Sequence, residues 1–236
     1  VKWFLDGVTW ESDRRALKQT DGRVHFSFAG KELAGIPPQD IQVKQVHGVR
    51  IVPVTSENQA SCSTQEADGV FATEVGFAVG VKTADCVPVL IYEKNGNAAA
   101  ALHAGWRGMF AGIVPAAIEL FAQSGFSSDS LRVHVGPCIS SAKFEVGPEV
   151  VEAFVQSCSW LDREVLPYAL SKGVGDRWHI DLALVAAAQA HRRGVHTNAI
   201  VVHRHCTYLG PEHWNSFRRD GRVVASNWSS IQLLAR

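Results

Sequence analysis

Short apolar runs, broken by Gly, Asn and Asp, recur along the chain and predict most of its elements. Residues 22–29 (GRVHFSFA) and 41–54 (IQVKQVHGVRIVPV) read as strands, and the polar stretch 56–67 reads as loop. Segments 68–73 (DGVFAT) and 76–83 (GFAVGVKT) place Gly between apolar residues, as strand ends and turns do. Residues 85–92 and 97–104 predict a hairpin closed at EKNGN, an Asn-Gly turn signal. After HAGWRG the period becomes helical through IVPAAIELFAQSG; Pro115 suits a first helical turn and would kink an interior. LRVHVGPCI and AIVVHRHC predict strands, IQLL a last one, and PEVVEAFVQSC and DLALVAAAQAHRRG amphipathic helices begun by Pro or Asp. Strands and helices are interleaved and hairpins are present. The expected class is α+β, with mixed or antiparallel sheets covered by helices. No linker or repeat divides residues 1–236, so a single domain is expected.

Composition narrows the function. The 23 basic and 23 acidic residues of this 236-residue chain balance, so the basic footprint of a nucleic-acid binder is absent. No apolar run reaches the length of a membrane span and no signal-peptide pattern is present. No nucleic-acid or membrane partner is therefore expected. Five scattered cysteines without a CxxC pair argue against a disulfide framework or zinc finger and for a reducing cytoplasm.

The stretch GVKTADCVPVLIY, Gly80 to Tyr92, reads as a buried strand with Asp85 and Cys86 in its middle. A buried carboxylate needs partners, either backbone N–H groups or an Arg. Cys86 is either an inert buried thiol or a reactive group. In the predicted hairpin His103 lies near Cys86, subject to register. His47 interrupts another apolar segment. Two His and one Cys suit zinc or copper and leave a coordination position open. Their spacings of 39 and 17 residues match no local zinc motif. In HAGWRGM, Arg107 either holds an anion near a helix N-terminus or pairs with Asp85. His203 and His205 share a strand face and, with Cys206 or His213, form a second possible ligand set. Arg218 and Arg219 beside Asp220 are either an anion clamp or a surface ion-pair cluster.

The motifs QVHG, ADGVFAT, TADCVPVLIY, LHAGWRG, VGPCISSAKFEVGPEV, HIDL and SFRRDG occur in that order. Together they resemble the YfiH-like, laccase-domain family of purine nucleoside phosphorylases, also called multicopper polyphenol oxidoreductases. The resemblance runs from about His25 to Ile231. It implies an αββα layered sandwich and a catalytic metal triplet of His47, Cys86 and His103, holding Zn²⁺ or possible Cu²⁺. It implies small-molecule substrates: phosphorolysis of adenosine, inosine or methylthioadenosine, and deamination of adenosine. Lys44, Arg107 and Arg218 are the candidates for the anion or substrate. The family is also linked to copper-dependent phenol oxidation and to hydrolytic editing of cell-wall precursors, where Cys86 would be a nucleophile with a His base. The chain departs from the family pattern where Ala225 and Ser226 replace a Gly-Arg, so that anion contact is either missing or left to Arg222. Pro115 interrupts the helix after GWRG, and His213 stands where an apolar residue is usual.

Overall fold

The structure is a computed structural model and describes residues 6–13, 17–32, 37, 40–161, 165–222 and 225–235. The strands are β1 (Thr9–Glu11), β2 (Lys18–Asp21), β3 (Val24–Ala29), β4 (Ile51–Val54), β5 (Gly69–Ala72), β6 (Ala78–Thr83), β7 (Val87–Glu93) and β8 (Ala99–Ala104). They continue with β9 (Leu131–Val135), β10 (Glu145–Val146), β11 (Leu170–Lys172), β12 (Trp178–Ile180), β13 (Ile200–His203) and β14 (Asn227–Leu233). The helices that matter here are α1 (Trp106–Ala111), α2 (Ile113–Gln123), α3 (Pro148–Ser157), α4 (Leu166–Ala169), α5 (Leu182–Arg192) and α6 (Phe217–Asp220).

A seven-stranded sheet runs β1-β13-β9-β7-β8-β5-β4. It is mixed: β1, β13 and β9 are mutually parallel, β7, β8 and β5 follow antiparallel, and β4 is parallel to β5. A four-stranded antiparallel sheet, β2-β3-β14-β6, lies on one face of it, and the helices pack on the other. The α+β class is present, and so is the stacking of two sheets that the family resemblance implied as part of an αββα sandwich; helices α1 to α5 pack on the seven-stranded sheet.

Alternation explains how one strand serves both layers. Val89 and Ile91 of β7 join Met109, Val114, Phe121, Phe154 and Leu184 under the helices. Leu90 and Tyr92 face the other way, toward Phe26, Val81 and Ile231 of the second sheet. All seven residues of β7 and all six of β8 are buried, so both strands read as near-continuous apolar runs. At the end of β7, the buried Glu93 accepts from the backbone and side-chain amides of Asn95 and Asn97, and closes the hairpin where Gly96 takes φ +72°.

Several elements differ from the sequence reading. Residues 41–54 are not one strand: only β4 is regular, and Ile41 and Lys44 make isolated bridges before a turn at His47. Gly80–Tyr92 is two strands in different sheets, with Asp85 and Cys86 in the link between them. The last strand begins at Asn227, well before IQLL; β3 and β6 pair with it on both sides and outweigh its Asn and Ser residues. The three-stranded sheet β10-β12-β11 has strands too short to show a period. The helix after HAGWRG breaks at Gly112 (φ +93°), which places Pro115 in the first turn of α2. Helix α5 is buried from Leu182 to Ala190, with Gln189 donating to the Met109 carbonyl at 2.8 Å.

Candidate metal centre

Three loops and strand ends meet at one end of the sandwich. The β7–β8 register pairs Val87 with Ala104 and Pro88 with His103. Cys86 thus stands just beyond β7, opposite Gly105, while His103 is the penultimate residue of β8. His47 comes from the turn before β4, with φ +62°, and Asp85 beside Cys86 has φ +93°. Left-handed backbone at two non-Gly residues costs energy and persists only where the surroundings impose it.

The ligand atoms of His47, Cys86 and His103 all lie within 4.8 Å of one another. Cys86 Sγ is 4.0 Å from His47 Nε2, and the two imidazoles meet edge to face at 4.7 Å. His47 is exposed, Cys86 partly exposed and His103 buried. Bonds of ~2.0–2.3 Å to zinc place two ligand atoms of one ion roughly 3.3–3.8 Å apart, so the three donors fit such an ion after a small contraction. Gly105 makes room for the cluster: a Cβ there would meet His47 Cδ2 at 2.8 Å and Cys86 Sγ at 3.1 Å. Among the described residues no other Cys, His and carboxylate group forms a metal-sized cluster.

Asp68 organises the cluster and was missed by the sequence reading. It is fully buried. Its carboxylate accepts from His103 Nδ1 at 2.8 Å, from His47 N–H at 2.8 Å and from Gly48 N–H at 2.6 Å. Its carbonyl accepts the His103 N–H at 2.7 Å. Because an ionised carboxylate only accepts, Nδ1 must carry the proton, which leaves Nε2 of His103 as the ring atom available to a metal. The available signal was a carboxylate beside Gly69 at the start of an apolar strand.

These contacts set the charges. Burial opposes ionisation of Asp68, but bonds from His103, Gly48 and His47 hold its carboxyl below the usual range. Burial would lower the His103 pKa; hydrogen bonds and charge from Asp68 and Cys86 raise it to about 9. Burial would raise the Cys86 thiol; His103 and His47 bring it down to about 7.

Asp85 does not pair with Arg107, one of the alternatives the sequence left open. Its two oxygens accept from Thr207 Oγ1 and from the Arg218 backbone N–H, both at 2.6 Å, which ties the Cys86 link to the start of α6. The Arg107 guanidinium instead stacks 4.2 Å over the Trp106 ring. A cavity of about 670 Å³ opens in front of the cluster, and Lys44, Arg107 and Arg218 all line it. Lys44 is exposed there and paired with Glu66 at 2.8 Å. Arg218 donates to the Glu145 carbonyl at 2.9 Å, over Phe144. Trp106, Phe144 and Phe217 add aromatic faces.

The second ligand set does not assemble. His203 turns between the sheets, where its Nε2 lies 3.1 Å from His134 Nδ1. Burial drives both pKa values down, to about 3 for His134 and about 4 for His203, so the pair is neutral. Arg219 is the ion-pair residue of its cluster, bidentate to Asp220 and bonded to the Thr207 and Trp214 carbonyls. Ser226 lines the cavity where a family Arg was expected, and Arg222 does not; Val223 and Val224 lie outside the described residues.

Comparison with known proteins places the chain in a family. The model of the family described as multi-copper polyphenol oxidoreductase laccase matches residues 26–233. A purine nucleoside phosphorylase, YfiH, of Escherichia coli is 32% identical over 196 residues, covering 82% of this chain and 75% of that protein. An adenosine deaminase from an unknown prokaryotic organism is 30% identical over 213 residues, covering 87% and 78%. Among solved structures, a Neisseria meningitidis protein superposes with TM-score 0.75 at 25% identity, covering 92% of this chain and 98% of that one. YlmD from Geobacillus stearothermophilus, at 24% identity and TM-score 0.76 over 84% and 74% of the two chains, shares the fold. With a matching family model across most of its length and relatives above 30% identity, the chain belongs to the multi-copper polyphenol oxidoreductase laccase family, that of the YfiH-type purine nucleoside phosphorylases.

Proposed function

We propose that this chain is a metal-dependent purine nucleoside enzyme, acting by phosphorolysis of adenosine, inosine or methylthioadenosine and by deamination of adenosine. The observation that carries the reading is the His47–Cys86–His103 cluster at the wall of a cavity that also presents cationic and aromatic side chains. The relatives named for both activities support it. The donor set fits Zn²⁺, and Cu²⁺ uses the same ligands. When bound, the metal supplies Lewis acidity and lowers the pKa of a coordinated water.

The chain's own groups divide the remaining work. Trp106, Phe144 and Phe217 offer flat apolar faces to a purine. Arg107, Arg218 and Lys44 supply positive charge for phosphate, with Arg the better bidentate partner. In phosphorolysis a phosphate oxygen attacks C1′, the glycosidic C–N bond breaks and the base leaves protonated. In deamination water adds at C6 and ammonia leaves. Asp68 holds His103 in one tautomer and orientation through either reaction. The free cysteines among the described residues support a reducing, cytoplasmic setting.

A second reading rests on the charge state of the cluster without metal. A thiol held near 7 beside an imidazole held near 9 is a thiolate–imidazolium pair, as a cysteine amidase requires. Metal analysis combined with adenosine turnover separates the two. The lead reading expects stoichiometric metal, adenine that appears only with phosphate, and inosine without it. Metal-free protein with full activity and a trappable acyl adduct on Cys86 would overturn it.

A further inference from the structure

Beyond the metal cluster, a pair of thiols lies on the other side of Asp85. Cys138 and Cys206 are partners in an isolated parallel bridge: the Cys138 N–H donates to the His205 carbonyl at 3.3 Å, and the Thr207 N–H to the Cys138 carbonyl at 3.0 Å. Residues opposite one another in such a pairing lie about 4.8 Å apart, inside the Cα range that a disulfide spans. Both cysteines are free. Cys206 is partly exposed, and its sulfur accepts from Ser140 N–H at 3.3 Å and Ser140 Oγ at 3.1 Å. Cys138 is buried, and burial, with the neighbouring Asp181 and Cys206, pushes its thiol pKa upward.

The two thiols line a separate cavity of about 50 Å³, with His203 and Asp181. That volume holds a molecule of the size of water or hydrogen peroxide. The buried His203 Nδ1, which has no hydrogen-bond partner among the described residues, belongs to a residue of the same lining.

We propose that Cys138 and Cys206 form a reversible disulfide when the protein meets a peroxide. The Cys206 sulfur attacks one peroxide oxygen and the O–O bond breaks, giving a sulfenic acid and one water. The Cys138 sulfur then displaces the hydroxyl, and its thiol proton leaves with it as a second water. Two thiols lose two electrons and the peroxide gains them. The position gives the bond a consequence. Ile139, next to Cys138, donates its N–H to the Asp85 carbonyl at 3.0 Å, and Thr207, next to Cys206, donates its hydroxyl to the Asp85 carboxylate. Cross-linking the bridge ties down two of the three partners of the residue that precedes Cys86.

The test is peroxide titration of the purified, metal-loaded protein, followed by intact mass and a non-reducing peptide map. The expected result is a loss of about 2 Da, the two thiol hydrogens, a linked peptide pair carrying Cys138 and Cys206, and reversal by dithiothreitol. Hydrogen exchange of the Ile139 and Thr207 amides should slow in the oxidised form. Cys206→Ser should fold, keep its metal and lose the mass shift. A linked peptide involving Cys86 instead, oxygen addition on Cys206 with Cys138 still alkylatable after denaturation, a shift that persists in Cys206→Ser, or no reaction would each overturn the proposal.

Discussion

Asp68 accepts the Nδ1 proton of His103 at 2.8 Å, and the same carboxylate accepts the backbone N–H groups of His47 and Gly48. One buried side chain thus fixes two of the three candidate ligands. Asp68→Asn is expected to weaken zinc binding about 10- to 100-fold, the usual effect of losing a carboxylate behind a ligating His. Asp68→Ala should in addition cost roughly 3–5 kcal/mol of stability, because buried donors lose their charged acceptor. Competition against a chromophoric chelator measures the first effect. Wild-type zinc affinity in Asp68→Asn would sink the linkage.

Gly105→Ala should separate site from fold. Gly105 has φ −64° and ψ 160°, which Ala adopts without strain. Its Cβ would instead collide with His47 Cδ2 and crowd Cys86 Sγ. The expected variant folds with a near-normal unfolding transition, binds little metal and has little activity. Normal metal content would mean that His47 is not a ligand.

In metal-free protein the rate of Cys86 alkylation should rise with pH through a midpoint near 7. His103→Ala should move that midpoint up toward the ordinary thiol range, ~8.5. Zinc should protect the thiol. A midpoint unchanged by His103→Ala would show that the imidazole does not stabilise the thiolate.

The His134–His203 pair predicts acid sensitivity. Both pKa values are depressed in the fold, to about 3 and about 4. The unfolded chain therefore binds more protons below the ordinary histidine value, and stability is full above ~6.5 and lost as pH falls from there toward 4. His134→Gln removes one titrating group and should flatten the slope of unfolding free energy against pH by about one proton. Denaturant melts across that window measure it. An unaltered slope would contradict the assignment.

Arg107→Ala should raise KM for phosphate or nucleoside more than it lowers kcat, since the guanidinium lines the cavity but lies on Trp106. Steady-state kinetics at varied phosphate decide. Loss of kcat alone, at unchanged KM, would give Arg107 a role in the chemical step.

The pattern of apolar residues made the β7–β8 hairpin, the α3 and α5 helices and the α+β class legible, because these depend on local period and turn chemistry. The hairpin also put His103 beside Cys86, and the structure pairs the two strands in that register. The 41–54 segment misled for a physical reason. Apolar alternation there reflects single bridges and a buried edge, and the left-handed turn at His47 has no propensity signal in a non-Gly residue. His203 and His205 were misleading because spacing on a strand says which face they share and nothing about what packs opposite.

The sequence by itself therefore determined which residue types were available to hold a metal, the strand that carries His103 and the family. Tertiary structure alone decided that Asp85 and Cys86 interrupt no strand but join two sheets, that Asp85 anchors α6 and leaves Arg107 to Trp106, and that Asp68 organises the cluster. The reason is that a carboxylate's role is set by the donors around it. For Asp68 those donors come from a turn about 20 residues back and a strand 35 residues on, separations at which no local period or propensity carries information.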